Sequence, residues 1–345
     1  MEKQGSDLHL KEGRKPRIRL NGALKELSDQ PELSHGDLQV MMSEITDRDS
    51  WINFEENGDL DFAYELDQKV RFRANYFRHH QGYGAIFRMI PTQIRSFTEL
   101  GLPDVLKKIA GLRCGLILIT GPTGSGKSTT LAAMIDFINS CMHKKIVTIE
   151  EPVEFLHPQK MSLINHREVG LDTPSFANGL MNAIKSDVDI ILVGEMRDRE
   201  TIELALTAAE MGILVFGTLH TNSATKTIDR IIDAFPMNKK NQIRMILANT
   251  LKAVISQQLI RSSDGTSRWA ALEILRETPA MGSLILTGET NRLANEIQMN
   301  RQEGMTLMDD SLLALVKGGK ITNEEAYLKA LDKNRFQMFK KGTSR

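Results

Sequence analysis

Gly121-Pro122-Thr123-Gly124-Ser125-Gly126-Lys127-Ser128 is the stretch on which the reading of this 345-residue chain turns. It fits the pattern G-x-x-x-x-G-K-[ST]. An apolar strand, Leu116-Ile117-Leu118-Ile119, enters it, and a helix-like stretch from Ser128 to about Asn139 leaves it. Glycines let a backbone wrap closely round an anion at positive φ, so that successive N–H groups turn inward. The N-terminus of the following helix adds partial positive charge at the same place. In such a loop Lys127 neutralises the β- and γ-phosphates and the Ser128 hydroxyl binds Mg²⁺. The run predicts a bound nucleoside triphosphate.

Outward from the loop, strands alternate with helices, which predicts a largely parallel sheet covered on both faces. The strands fall at 116–119, 145–150, 189–193 and 213–218, and the helices at roughly 128–140, 174–186 and 199–210. Asp189-Ile190-Ile191-Leu192-Val193-Gly194-Glu195 reads as a buried strand ending in a carboxylate. A P-loop enzyme needs an acid at the tip of a neighbouring strand to handle Mg²⁺ and polarise water, and Glu195 is placed for both. The alternative is an acidic helix cap, because Arg197-Asp198-Arg199-Glu200 follows; Gly194 stands where many such enzymes carry a metal-binding Asp.

Two further groups sit at strand ends. Glu150-Glu151-Pro152-Val153-Glu154 follows the apolar strand Lys145–Ile149, and its carboxylates, Glu150 first among them, form either a second metal or water shell or a solvated loop. Thr218-Leu219-His220-Thr221 ends the fourth strand, placing an imidazole at the edge where α/β proteins bind ligands. Beyond about 222 the pattern is mostly helical, interrupted by a hairpin around Asp264-Gly265. There Ile243, Ile246, Leu247, Thr250 and Leu251 keep the 3–4 spacing of a packed helix face.

Residues 1–90 have another texture. Arg17-Ile18-Arg19-Leu20 runs into Asn21-Gly22 as a strand entering a tight turn, and 59–64, 70–77 and 84–90 are candidates for one antiparallel sheet. The segment ending at Gly101-Leu102-Pro103 reads as a linker. The expected organisation is therefore a domain over 1–97, a linker at 98–104 and a core domain over 105–345.

Composition narrows the class. Lys and Arg number 44 against 44 Asp and Glu, so there is no basic excess of the kind phosphate-backbone binding favours, and no nucleic-acid partner is expected. No stretch approaches the roughly 18 apolar residues of a membrane span. The opening MEKQGSDLHL lacks a signal peptide's apolar run, which predicts a cytoplasmic protein associated with a membrane only peripherally. The two cysteines, Cys114 and Cys141, exclude a four-cysteine zinc site.

At this point the chain resembles a known family. Gly121–Ser128, Thr148–Phe155, Ile190–Asp198 and Gly212–Ala224 resemble the Walker A, Asp box, atypical Walker B and His box of the type II/IV secretion ATPases, in the pilus-retraction (PilT-type) branch. Gly5-Ser6-Asp7-Leu8-His9-Leu10, Arg71-Phe72-Arg73-Ala74-Asn75, Gly82–Pro91, Thr227–Asp233 and Ile255–Leu259 match in the same order, so the similarity spans nearly the whole chain.

The resemblance implies an N-terminal PAS-like α+β domain, a RecA-like P-loop ATPase core with a helical C-terminal region, and assembly as a homohexamer with ATP at subunit junctions. Carried over by position, Gly121, Pro122, Thr123, Gly124, Ser125, Gly126, Lys127, Ser128 and Thr129 hold the phosphates and Mg²⁺. Glu195 is the catalytic base, Glu154 the Asp-box acid and His220 the His-box histidine, while Arg71, Arg73 and Arg88 are candidate charge stabilisers. The alternative for each arginine is the wet face of a strand.

The implied role is an ATP-driven motor for pilus retraction and twitching motility, acting on an inner-membrane platform protein at the pilus base. Departures from the pattern are Glu151 for the usual Asp, Ile213 for a first His-box histidine, Met181 and Val188 for the usual Arg and Pro, and a 279–285 segment without the family's arginine. They point to ATP hydrolysis more directly than to retraction, and admit a divergent paralogue working beside a principal retraction ATPase. The rivals are a pilus-assembly or type II secretion ATPase and a regulatory ring subunit without useful turnover.

Overall fold

The computed structural model describes residues 5–20, 23–66, 70–90 and 93–337, so the turn expected at Asn21-Gly22 lies outside the described residues. The chain divides into two compact units, Met1–Gln93 with Pro152–Leu156, and Ile94–Glu151 with His157–Arg345.

The first unit contains β1 (Asp7–Lys11), β2 (Arg17–Leu20), β3 (Ala23–Glu26), α1 (His35–Glu44), α2 (Arg48–Asn57), β4 (Asp59–Leu66), β5 (Val70–His79) and β6 (Gly82–Ile90). Its strands form an antiparallel sheet in the order β3-β2-β1-β6-β5-β4. Ser34 and Asp47 cap the two helices by accepting from Asp37 and Ser50 amides, and α2 stops at Gly58 with φ 84°. Alternation along the strands makes the two sheet faces unlike. Leu10, Ala74, Tyr76 and Ala85 are buried with Leu38, Met42 and Phe54 from the helices. The intervening positions carry charge: Arg19, Asp7, Arg88 and Arg73 lie directly opposite one another across β2, β1, β6 and β5.

The second unit begins with α3 (Val105–Ala110), β7 (Gly115–Thr120), α4 (Lys127–Cys141), β8 (Lys145–Glu150), β9 (Leu163–Glu168), α5 (Phe176–Ile184) and β10 (Ile190–Val193). It continues through α6 (Arg199–Glu210), β11 (Leu214–Leu219), α7 (Ala224–Asp233), α8 (Met237–Thr250), β12 (Leu251–Arg261) and β13 (Arg268–Arg276). Helices α9 (Pro279–Thr287), α10 (Leu293–Met299), α11 (Met308–Lys317), α12 (Asn323–Lys329) and α13 (Asn334–Gln337) complete it. The sheet order is β13-β12-β7-β11-β10-β8-β9, parallel throughout except for the β12/β13 hairpin.

Period two explains why both faces are covered. Leu116 and Leu118 of β7 pack with residues of α5, α6 and α7, whereas Ile117 and Ile119 pack with Leu131, Met134, Ile135 and Ile138 of α4. Phe97 and Leu102 join that second cluster, so part of the segment read as a linker is buried in this core.

Three features depart from the sequence reading. β9, Leu163-Ile164-Asn165-His166-Arg167-Glu168, was not anticipated: it is an edge strand beside β8, and its polar composition suits one-sided pairing. Leu251 begins β12 and does not extend α8, because the helix gives way there to a strand beside β7. The β12/β13 hairpin, expected as an interruption in a helical region, extends the core sheet by two strands of 11 and 9 residues.

Candidate active site

The phosphate-loop stretch lies between the end of β7 and the first turn of α4. Gly121, Gly124 and Gly126 adopt φ of 149°, 76° and 86°. At Gly121 the backbone requires glycine for space as well: a Cβ there would lie 2.2 Å from the Gln257 carbonyl oxygen. β12 delivers Gln257 behind the loop, where it is buried. Its Nε2 donates to the Ser125 carbonyl at 2.8 Å and its Oε1 accepts from Thr130 Oγ1 at 2.8 Å. Gln257 thus pins both the crown of the loop and the first turn of the helix.

These residues fit a phosphate group. Ser125 Oγ is buried without a hydrogen-bond partner in the protein, which is the condition of a donor awaiting an acceptor. Lys127 Nζ donates to the Gly121 and Pro122 carbonyls at 2.8 and 3.3 Å, so its ammonium lies over the loop. Ser128 and Thr129, both half-buried, follow in the first turn of α4. Beside Gly126, Thr129 and Thr130 opens a cavity of about 470 Å³ whose far wall includes Arg95, Leu100 and Trp269.

The second constellation forms at the tips of β10 and β11. β10 is one strand removed from β7, because the wholly buried β11 intervenes. At sheet spacing this puts the β10 tip about 10 Å from the β7 tip along the same C-terminal edge. The turn carrying Glu195 is fixed on both sides: Gly194 N donates to the Ile149 carbonyl at 2.8 Å and Met196 N to the Thr218 carbonyl at 3.0 Å. A side chain at residue 194 would start 3.1 Å from the Ile149 oxygen, so glycine suits the close approach of this turn to β8.

Glu195 Oε1 receives His220 Nε2 at 2.9 Å and Arg197 Nε at 2.7 Å. The Arg197 guanidinium also reaches Glu151 Oε2 at 3.4 Å. Burial pushes the Glu195 carboxyl up, but Arg197 and then His220 outweigh it and hold the group below the usual glutamate range. The acidic cap of α6 is Asp198, which accepts from Thr201 N at 2.8 Å, so Glu195 is not consumed by capping.

The remaining candidates are distributed unevenly. Glu150, at the end of β8, is mostly buried, and its Oε1 is 3.9 Å from His166 Nδ1. That imidazole meets Thr148 Oγ1 at 2.8 Å, and its Nε2 accepts from His157 N at 3.1 Å. Glu154 belongs to the Pro152–Leu156 stretch that groups with the first unit. Arg71, Arg73 and Arg88 are in the first unit; Arg88 Nε lies 2.7 Å from Asp7, and an Arg73 nitrogen lies 3.6 Å from Asp61. Sequence reasoning named Arg197 and Gln257 within longer stretches and gave neither a role at the site. The first stands two residues from Glu195, and the second lies in the polar stretch Ser256-Gln257-Gln258 between the apolar residues of β12.

Comparisons with known proteins bear on the family and the fold. The type II/IV secretion system protein family model matches residues 1–306. The chain is 47% identical over 329 residues to the type IV pilus retraction ATPase PilT of Pseudomonas aeruginosa, covering 95% of each chain. It is 46% identical to a twitching motility protein of Neisseria gonorrhoeae, over 91% of this chain and 84% of that one. To the P. aeruginosa type IV pilus ATPase PilU it is 38% identical, over 94% and 85%. Among solved structures, the pilus retraction motor PilT with bound ADP superposes with a TM-score of 0.90 at 42% identity, covering 98% of this chain and 96% of that one. The Legionella pneumophila ATPase DotB superposes at 0.80 and 26% identity, over 95% and 92%. The expected fold class, an N-terminal α+β domain before a RecA-like core, is the one observed. The chain belongs to the type II/IV secretion system protein family.

Proposed function

We propose that this protein is an ATP-hydrolysing motor that powers retraction of type IV pili. The observation that carries the reading is the Glu195–His220 pair, held at the strand edge onto which the phosphate loop opens. The names of the PilT and twitching-motility relatives support retraction, and the ADP held by the solved PilT supports the nucleotide.

In this reading the backbone N–H groups between Thr123 and Lys127, the Ser125 hydroxyl and the Lys127 ammonium hold the phosphates. Thr129 and the 470 Å³ cavity beside it receive the sugar and base. Ser128 holds Mg²⁺, with Glu195 and Glu150 the carboxylates available to it. The ion, when bound, neutralises charge on the β- and γ-phosphate oxygens. Glu195 accepts a proton from the attacking water, and His220 orients that carboxylate. Glu154 serves as a further acid, and Arg71, Arg73 and Arg88 counter phosphate charge. An arginine used in this way accelerates phosphoryl transfer by about 10³–10⁵.

The working assembly is a homohexamer at the cytoplasmic face of the inner membrane, acting on a platform protein and, as a divergent paralogue, beside a principal retraction ATPase. Among the described residues no helix is long and apolar enough to cross a membrane. Phosphate release from Mg-ATP by the purified chain, lost in Lys127→Ala, tests the enzyme. Deleting the gene tests the role: surface pili persist if the motor retracts them, and disappear if it assembles them.

A further inference from the structure

We propose that Thr227 is a positioning residue: its buried hydroxyl ties the turn that carries His220 to the base of the phosphate loop, and so aims the His220–Glu195 pair. The inference rests on the reading of Glu195 as the base and His220 as the group that orients it. Thr227 of α7, Thr120 at the last position of β7 and Ser256 of β12 are wholly buried. A threonine inside a helix commonly spends its hydroxyl on the carbonyl four residues back, and Thr227 Oγ1 does so, donating to the Ser223 carbonyl at 2.7 Å. A hydroxyl has one proton, so at the 2.6 Å contact between Thr221 Oγ1 and Thr227 Oγ1 the donor is Thr221. Thr221 is the residue after His220, and this bond fixes the direction of its side chain. Thr227 Oγ1 also lies 3.5 Å from Thr120 Oγ1, which meets Ser256 Oγ at 2.8 Å. Both ends of this chain of hydroxyls abut the site. Thr120 precedes Gly121, whose N–H donates at 3.2 Å to the carbonyl of Leu219, the residue before His220. Ser256 precedes Gln257, the clamp of the loop. The far end of the turn is held as well, because Ala224 N donates to the buried Glu273 Oε1 at 2.8 Å. His220 itself is 44% exposed, so its reach to Glu195 Oε1 at 2.9 Å depends on the turn more than on packing round the ring. Without the Thr227 hydroxyl the Ser223 carbonyl and the Thr221 hydroxyl lose their shared partner, and a shift of about 1 Å at a catalytic group costs roughly 10²-fold in rate.

The test measures Mg-ATP turnover by the full chain as wild type, as Thr227→Val, which keeps the shape and removes the hydroxyl, and as Thr227→Ser, which keeps the hydroxyl. Binding of a fluorescent ATP analogue checks that each variant is folded. Thr227→Val is expected to lower kcat about ten-fold or more with KM within about two-fold, and Thr227→Ser to stay within about three-fold of the wild type. In a His220→Ala background, Thr227→Val is expected to alter kcat less than about two-fold. An equal loss in both backgrounds overturns the proposal, because Thr227 would then act without His220; so does wild-type kcat in Thr227→Val alone. If Thr227→Val does not fold, Thr221→Val removes the other half of the same bond at a half-buried position and carries the same expectations. A crystal structure of the variant used gives a readout that needs no turnover. The contact of His220 Nε2 with Glu195 Oε1 is expected to be lost, and its persistence at 2.9 Å overturns the positioning role. Failure of the underlying reading appears separately, as wild-type turnover in His220→Ala alone.

Discussion

At the scale of single residues the site is a balance between burial and charge. Glu195 loses solvation at its strand tip, which favours the neutral acid, yet the guanidinium and imidazole on its Oε1 keep it ionised. A carboxylate in that state can receive a proton from water at neutral pH, which the neutral acid cannot do. His157 shows the opposite outcome. Burial first, and then the stacked His166 ring with its centroid 5.6 Å away, lower its pKa from 6.5 to about 4. The folded protein therefore binds this proton less readily than the unfolded chain. The associated stability is complete above about pH 6.5 and is lost as pH falls towards 4, by about 3 kcal/mol in all. Denaturant unfolding of wild type and His157→Asn between pH 4 and 7 checks the sign: the difference between them should shrink on acidification, and a difference that grows would show the imidazole to be stabilised in its charged form.

At the scale of elements, β7 and β12 act together. The loop's shape depends on a neighbouring strand, since the Gln257 amide bridges the Ser125 carbonyl and the Thr130 hydroxyl. Gln257→Leu would leave both groups buried without that partner, at about 1–3 kcal/mol each. It should lower the melting temperature and weaken ATP binding together, as calorimetry and nucleotide titration would show. Affinity unchanged beside a lowered melting temperature would mean that the loop keeps its shape without the clamp. The same elements show what the sequence conveys and what it does not. β7, β8, β10 and β11 were legible as short apolar runs ending in polar residues, and all four strands lie where the pattern puts them. β9 escaped because an edge strand pairs on one side and needs no apolar run. The strand at Leu251 escaped because a 3–4 spacing cannot report where a helix hands its chain to a sheet. The Glu195–His220 contact was legible only as two polar strand ends, since strand order, which makes β10 and β11 neighbours, is a property of the folded sheet. Arg197 was legible only as a member of the Ile190–Asp198 stretch and of a charged helix start, and neither pattern turns its guanidinium towards Glu195.

At the scale of the whole molecule, the first unit contributes a sheet with one apolar face on its helices and one face crossed by Arg19, Asp7, Arg88 and Arg73 in register. Arg73 and Arg88 lie directly opposite each other, a like-charged pair that weakens a sheet. Each already faces a carboxylate of the same sheet, Arg88 on Asp7 and Arg73 on Asp61, and in the proposed function Arg88 also meets phosphate. Replacing Arg88 by Ala should reduce turnover far more than it reduces ATP binding, as a comparison of kcat with nucleotide affinity would show; equal losses would make it a simple binding contact. The assembly proposed for the motor predicts a six-subunit mass in the presence of ATP. The measurement that bears most directly on the account is phosphate release by Glu195→Gln in Mg-ATP, set beside its affinity for ATP. A base at the β10 tip predicts turnover reduced by about 10²–10⁴ with nucleotide binding retained. Wild-type turnover in that variant would contradict the assignment and leave the loop as a nucleotide site without this catalyst.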